Sequence, residues 1–400
     1  MTARTADALL RGPEAPQRPT FLELFFDLAF VFALAQLSRE LSEHLSWSGA
    51  FQTLVLVLAV VRVWLSTTWF TDRLNPLAPA VQLLVSVSML GALVLGVTLP
   101  QAFGGRGLIF ASVYVTVDVG RSLYLLIVTR GHELQRIIVR VLLWSGVSGL
   151  LWIVGGFTYG LVRGVLWILA VALDHAGNAV NFFVPGARRV DRWEPPIAAE
   201  HLSERYRQFL IVALGELVIV SAETFSHGGL ALGRATGFVV SIATAALMLR
   251  IYAYHAGQLL SEAAAAVPTS VRLGRWTAYS HLVMIAGIVV AAVGDELVIA
   301  HPSGRTALAG GLVILGGPAL FLAGRVVFNY AVFARVSVDR PIGALVLGAL
   351  VPISVLVSPV QTAIAAMAVL TVVVIADLVR ARRRSAAESP QPASAGVGGG

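Results

Sequence analysis

Long apolar runs alternate with short polar junctions along almost the whole chain. A membrane-spanning helix needs about 20 consecutive apolar residues. By this criterion the pattern predicts twelve helices, near residues 20–39, 48–69, 79–100, 107–129, 137–157, 161–184, 205–225, 233–254, 274–298, 307–332, 341–357 and 360–380. Only a Val-Ser-Pro break separates the last two, so a helical hairpin or a re-entrant element is an alternative there. The predicted fold class is an all-α integral membrane protein with about twelve transmembrane helices.

The polar junctions divide the chain into five segments. Residues 1–19 hold Arg and Pro without an apolar run and are predicted to be a disordered cytoplasmic arm. Residues 20–184 form a first six-helix membrane repeat, 185–203 a basic cytoplasmic linker, and 204–380 a second six-helix repeat. Residues 381–400 are predicted to be a disordered cytoplasmic tail.

The two sets of six helices resemble each other at three places. Asp27 before LAFV matches Glu216 before LVIV, Arg62 matches Arg250, and GRSLY, with Arg121, matches GRVVF, with Arg325. Six spans per repeat preserve the orientation, so the pattern predicts two parallel repeats. A solute site is then expected between them, near the middle of the bilayer.

Composition changes the picture in two ways. The chain is 57% hydrophobic and 13% charged, far from the soluble norm of about 25% charged. Most of its arginines fall in the termini and the even-numbered junctions, which predicts that both termini are cytoplasmic. The basic charge therefore indicates membrane orientation, and we expect the lipid bilayer rather than nucleic acid as partner. The chain has no cysteine, which excludes disulfides and thiolate metal sites.

Two acids, Glu23 and Asp27, lie four residues apart in the first predicted helix and therefore on one face. A carboxylate at the centre of a spanning helix costs roughly 2.5–3.5 kcal/mol, so it normally faces protein, water or an ion. Glu23 has an alternative role at the helix start, where the helix dipole favours an anion. Asp27 lies deeper and is the stronger functional candidate.

Glu216 lies near the middle of the seventh predicted helix, whose cytoplasmic end is marked by Glu204 and Arg205. It is either a carboxylate that titrates or binds a cation, or half of a buried ion pair. The candidate partners within spans are Arg62, Arg121, Arg250 and Arg325.

In the sixth predicted helix, Asp174, Asn178 and Asn181 form a polar stripe with His175 beside it. The stripe indicates either a solute pathway or hydrogen bonding between helices. Asp295 and Glu296 lie at the outer end of the ninth helix, where a solvated interface is the expected setting. His201 with Glu200 and Glu204 provides too few ligands for a closed metal site, and we expect no metal and no cofactor.

Three motifs give the chain a resemblance to a known family. LELFFDLAFVFALAQLS, ERYRQFLIVALGELVIV and HLVMIAGIVVAAVGDELVIAHP resemble the bacterial low-temperature-requirement protein A (LtrA) family, over about residues 18–380. The resemblance implies a polytopic protein of the bacterial plasma membrane and implicates Glu23, Phe25, Phe26, Asp27, Glu204, Arg205, Gly215, Glu216 and His281. The chain departs from the family at LRIYAYHAG, where Ala253 and Tyr254 replace a Phe and an Asp. FFDLAFVFAL also resembles the first helix of endosomal and bacterial potassium channels, over that helix only.

These observations favour a secondary transporter or ion-coupled permease for an unknown small solute or cation, in which Asp27 and Glu216 face each other between the repeats. A cation channel is one alternative, and a non-transporting scaffold or sensor in cold adaptation is another. An enzyme is not expected, because the loops are short and neither H-E-x-x-H nor G-x-S-x-G occurs.

Overall fold

The computed structural model describes residues 9–11, 18–186, 199–253, 271–333 and 337–388, and in these ranges the chain forms twelve α-helices and no named strand. They are α1 Phe21–Glu43, α2 Trp47–Arg73, α3 Pro79–Thr98, α4 Gly107–Val128, α5 Leu134–Gly156, α6 Gly160–Ala179, α7 Ala199–Ser226, α8 Leu232–Ala253, α9 Val271–Ala300, α10 Leu308–Phe333, α11 Asp339–Ser354 and α12 Pro359–Glu388. All of these helices except α11 are long and apolar enough to cross a membrane. The predicted all-helical, multi-pass architecture is therefore confirmed, whereas the two-repeat arrangement stays a prediction.

Successive helices run in opposite directions between two ends of the bundle. We call the end at which α1 begins the proximal end, and the end at which it finishes the distal end. Although α11 has only 16 residues, it also runs between these ends. At the start of α11, Asp339 pairs with Arg380 of α12. Just after the end of α11, the Val357 carbonyl accepts a hydrogen bond from the Thr306 amide at 3.0 Å.

The start of α1 shows how local sequence positions the acids. Thr20 and Glu23 form a capping box, in which each side chain accepts a hydrogen bond from the other residue's backbone amide. From there the outward face of the helix carries Phe21, Phe25 and Leu28, which are 91%, 58% and 54% exposed. The opposite face carries Glu23 and Asp27, which are buried. The apolar side chains thus face the lipid while the acids face the protein interior.

Glycines bring α9 and α10 close together. A Cβ atom at Gly317 would lie 2.4 Å from the Ala291 amide nitrogen, and one at Gly287 would lie 2.6 Å from the Phe321 nitrogen. Small residues at a helix interface allow this approach, which is typical of helices packed within membranes. The close packing holds α9, which carries His281 and Asp295, firmly in the bundle.

The predicted terminal segments need correction. Within the arm 1–19, Leu10 forms an antiparallel bridge with Leu74, and Leu9 is buried, so this part packs on the end of α2 because it is apolar. Residues 381–388, predicted to be disordered, continue α12, since Ala and Arg favour helix. The linker predicted at 185–203 falls mostly on residues 187–198, which lie outside the described ranges.

Candidate functional site

Asp27 is neutralised by an arginine from the second half of the chain. Arg205 of α7 donates to both carboxylate oxygens, at 2.9 and 2.8 Å, and the Trp64 indole donates to Oδ1 at 2.7 Å. All three side chains are buried. Bidentate arginine–carboxylate pairs are strong and geometrically specific. Asp27 therefore joins α1 to α2 and α7.

Glu23 also contacts α7. Besides capping α1, its carboxylate lies 3.2 Å from Nε2 of His201, whose Nδ1 lies 3.3 Å from Asp72. Glu23 is only 1% exposed, so its setting is a buried helix start rather than a solvated interface. His201 thus bridges two acids of the first six helices and does not lie with Glu204, which pairs with Arg207.

A second polar network lies among α2, α4, α5 and α6. Asp118 pairs with Arg121, accepts from Ser145 Oγ at 2.6 Å and lies 3.8 Å from Arg62. Sequence reasoning missed Asp118, although its spacing of three residues from Arg121 was a usable signal. Of the four candidate arginines, Arg121 is thus paired with Asp118, while Arg62 lies near the same carboxylate without a hydrogen bond to it.

The polar stripe of the sixth helix divides in the structure. Asp174 accepts hydrogen bonds from Tyr114 at 2.8 Å and Ser148 at 2.5 Å, and is buried. Asn178 lines a cavity at the proximal end. Asn181 lies beyond the end of α6 and has a left-handed backbone, with φ of 53°. Within the stripe, Asp174 therefore serves hydrogen bonding between helices, and Asn178 forms part of a cavity wall.

His281 occupies an aromatic environment in α9. Its Nε2 lies 3.1 Å from the Tyr252 hydroxyl and its Nδ1 lies 2.8 Å from the Thr277 carbonyl. Arg325 donates to the carbonyls of Ile251 and Tyr252, both at 3.3 Å. Both side chains are buried and hold the proximal end of α8 against α9 and α10, while Arg250 is half-buried on α8.

Glu216 lies in a different environment, close to Asp295 of α9. Its Oε1 accepts a hydrogen bond from Ser38 of α1 at 2.9 Å, and its Oε2 is buried without a hydrogen bond. Asp295 lies beside the hydroxyls of Ser241 and Ser221, and both hydroxyls and its Oδ2 lack a hydrogen bond in the described residues. We call these five side chains the acidic site.

Two findings about the acidic site correct the sequence-based expectations. Asp295 is 8% exposed, so its predicted solvated setting is wrong; the side chain points between helices although it lies near a helix end. In the part of the chain that the structure describes, no basic side chain forms an ion pair with Glu216 or Asp295. The alternative that Glu216 is half of an arginine pair is therefore excluded for the described residues.

The structure does not bring Asp27 and Glu216 together. Ser38, which contacts Glu216, is eleven residues beyond Asp27 on the same helix, a separation of about 16 Å at 1.5 Å per residue. The expectation that these two acids face each other is wrong, because each has its own partners at a different depth. Asp295 takes the place that Asp27 was expected to hold.

A distal cavity of about 390 Å³ lies next to the acidic site. Ser38, the hydrogen-bond partner of Glu216, is part of its wall, and Arg39, Glu223, His227, Arg234 and Glu296 surround it. Arg39 and Glu223 lie 3.7 Å apart and are more than half exposed. The acidic site thus lies beneath a polar opening at the distal end.

A proximal cavity of about 80 Å³ lies at the other end and is lined by residues of α2, α5, α6, α7 and α9. Its polar wall includes Arg62, Arg73, Arg275, His175 and Asn178. Aromatic side chains lie between the two cavities. Trp64 stacks on Phe209 with ring centroids 4.2 Å apart, and Phe209 packs edge-on against Phe30 with ring centroids 6.0 Å apart. In the described residues, the two cavities open toward opposite ends of the bundle.

One further polar group lies at the distal end of α1, where ligand atoms of Glu40, Glu43 and His44 lie within 4.8 Å of one another. These side chains are partly or fully exposed. Exposed acidic groups of this kind are common without a metal, so we assign the group no role.

Comparison with known proteins confirms the resemblance seen in the motifs. The model of the bacterial low temperature requirement A protein (LtrA) family matches residues 18–375. An uncharacterized protein from Rhizobium meliloti (strain 1021) is 37% identical over 313 residues, which are 77% of this chain and 76% of that protein. No solved structure matches the chain. The match extends over nearly all of the twelve helices, and the chain belongs to the bacterial low temperature requirement A protein family.

Proposed function

We propose that this protein is a secondary transporter of the bacterial plasma membrane, and that Glu216 and Asp295 bind the coupling proton or monovalent cation. The observation that carries the proposal is the pairing of two buried carboxylates with no basic partner in the described residues. Two like charges close together in a buried site are costly unless a proton or cation is shared between them. Such a site is suited to reversible ion binding.

The side chains around the acids support a cation as well as a proton. Ser38, Ser221 and Ser241 supply hydroxyl oxygens beside the carboxylates. Carboxylate and hydroxyl oxygens are the ligands that hard cations prefer. Four helices, α1, α7, α8 and α9, contribute side chains to the site. Binding or release of an ion therefore changes the interactions between these helices.

The position of the site supports alternating access. Glu216 lies ten residues from the distal end of α7, about 15 Å along the helix axis. The polar distal cavity reaches Ser38, and packed aromatic rings separate it from the proximal cavity. We infer that this arrangement corresponds to a state open on the distal side, with both termini cytoplasmic as the arginine distribution predicts.

The Asp27–Arg205 pair has a different role in this proposal. Because its charges are matched and both Asp27 oxygens accept hydrogen bonds, it joins α1 to α7 instead of binding an ion. The solute is small, and we propose neither enzymatic activity nor a nucleic-acid partner.

Charge displacement on solid-supported proteoliposomes tests the ion site without knowledge of the solute. A jump in Na⁺ concentration or in pH should produce a transient charge movement in wild-type protein, because the ion enters a buried site. Glu216→Gln and Asp295→Asn should abolish it, and Glu204→Gln, an acid of the same helix outside the site, should preserve it.

Three results would contradict the proposal. They are an unchanged transient in both variants, no transient with either ion in wild-type protein, and a sustained current that needs no coupling gradient. The last result would support the cation channel instead.

A further inference from the structure

The proximal cavity has the chemistry of an anion site. Three arginines, Arg62, Arg73 and Arg275, form part of its wall, and no acidic residue of the described ranges lines it. The arginines come from two helices, α2 and α9. A negatively charged group inside would therefore meet guanidinium groups from two different helices.

The guanidinium of Arg62 retains hydrogen-bonding capacity. Its closest carboxylate contact is Asp118 at 3.8 Å, which exceeds a hydrogen-bond distance. The Asp118 carboxylate accepts a hydrogen bond from Arg121 instead. The Nε atom of Arg62 is buried and has no hydrogen-bond partner in the described residues. A bound carboxylate would satisfy donors that the protein itself leaves unpaired.

Arg275 is held at the mouth of the cavity by uncharged groups. Its guanidinium donates to the Ala179 carbonyl at 2.5 Å and to the Asn181 side-chain oxygen at 3.1 Å, and its buried Nε has no partner in the described residues. These contacts orient the guanidinium but do not neutralise it. Its positive charge is therefore available to a ligand.

The turn that Arg275 holds is strained. Asn181 and Phe182 both have left-handed backbones, with φ of 53° and 51°, and Phe182 is neither glycine nor asparagine. Such conformations are unfavourable for residues with a side chain and persist where surrounding contacts enforce them. Here the Phe182 amide donates to the Gly177 carbonyl at 2.7 Å, and the residue lines the cavity. The strained turn places an aromatic ring at the cavity wall.

The size and remaining walls of the cavity restrict the ligand. Its volume of about 80 Å³ has room for about five to eight water-sized groups. Leu65, Phe70, Val141 and Phe182 supply apolar surface. Inorganic phosphate would leave this surface without a complementary partner. Arginine recognises carboxylates bidentately, so a short-chain carboxylate matches both parts of the wall.

We propose that the proximal cavity binds a small organic monocarboxylate with an apolar body, and that this class includes the solute. The assignment of the ligand as solute rests on the proposed transport function; the binding site itself does not. The cavity lies between the first six and the last six helices, where the repeat pattern predicts a solute site.

Calorimetry or thermal-shift measurements on the purified full-length protein in detergent test the binding. The probes are butyrate, its neutral analogue butyramide, butylamine, and inorganic phosphate. Butyrate should bind, and the neutral and cationic analogues should bind at least tenfold more weakly. Equal binding of butyrate and butyramide, or binding of phosphate alone, would overturn the proposal.

Variants locate the site. Arg62→Gln and Arg275→Gln should weaken butyrate binding by about tenfold or more, since each removes a charge-assisted hydrogen bond. Arg275→Lys should retain part of the affinity, and Arg136→Gln, an exposed arginine outside the cavity, should retain all of it. If Arg62→Gln does not fold, Arg275→Gln at the cavity mouth decides the question. Wild-type affinity in Arg275→Gln would refute the assignment.

The same measurements separate this inference from the proposed function. Butyrate binding should survive in Glu216→Gln, because the acidic site is at a different depth. Butyrate binding without any ion-dependent charge movement would contradict the transporter and leave the anion site standing. Ion-dependent charge movement without carboxylate binding would contradict the anion site alone.

Discussion

Replacing Asp27 by asparagine tests whether this acid is structural, as its contacts indicate. The carboxylate accepts two hydrogen bonds from Arg205 and one from Trp64, and all three side chains are buried. Removing one partner of a buried ion pair leaves an uncompensated charge and costs about 3–5 kcal/mol. Asparagine turns an amide donor toward the guanidinium, which is unfavourable, but it keeps one acceptor oxygen for a hydrogen bond. We therefore expect a loss near the lower end, about 3 kcal/mol.

The assay is reversible unfolding of purified protein in mixed micelles, with the denaturing detergent SDS as the titrant. Glu204→Gln, next to Arg205 on α7, is the matched control, because its pair with Arg207 is 26% and 46% exposed and should contribute under about 1 kcal/mol. The double variant Asp27→Leu with Arg205→Met should lose less than the sum of the single changes, since no buried charge remains. A free energy of unfolding for Asp27→Asn within about 0.5 kcal/mol of wild type would refute the reasoning.

Other changes have matched controls in the chain. Gly317→Ala should destabilise the protein by about 1–3 kcal/mol, because the added Cβ would collide with the backbone of α9. Gly316→Ala is the control, since a Cβ there meets nothing within 4 Å and should cause no such loss. Equal losses of unfolding free energy in the two variants would contradict the packing argument. Trp64→Phe should lose about 1.5–3 kcal/mol through its hydrogen bond to Asp27, and an unfolding energy equal to wild type would show that this bond is dispensable. Glu216→Gln should keep wild-type stability within about 0.5 kcal/mol, since it removes one of two like charges; a large loss would indicate a structural role.

The distribution of polar groups gives the bundle two functional regions. Matched ion pairs, such as Asp27 with Arg205 and Asp118 with Arg121, join helices to one another. Glu216 and Asp295 form no such ion pair in the described residues, and there Arg62 and Arg275 at the proximal cavity form no hydrogen bond to a carboxylate. Unpaired buried groups are costly, so they persist where a ligand completes them. This contrast is the basis for both proposals.

The sequence alone determined the helices. Their number in the described ranges, their approximate bounds and the burial of Asp27 and Glu216 follow from apolar run length and from the cost of placing a carboxylate in lipid. Even α11, the least regular of them, was predicted at its observed place. These are local properties, since each depends on a stretch no longer than one helix.

Only the tertiary structure decided which groups meet. Arg205 is 178 residues from Asp27, and Ser38 is 178 residues from Glu216, so no spacing rule could pair them. Asp295 looked solvated because it lies near a helix end, and the packing of α1, α7 and α8 around it determines its burial. The periodicity of one helix gives the face on which a residue lies but not the element that covers that face. The identity of the acidic site therefore depended on how distant helices pack.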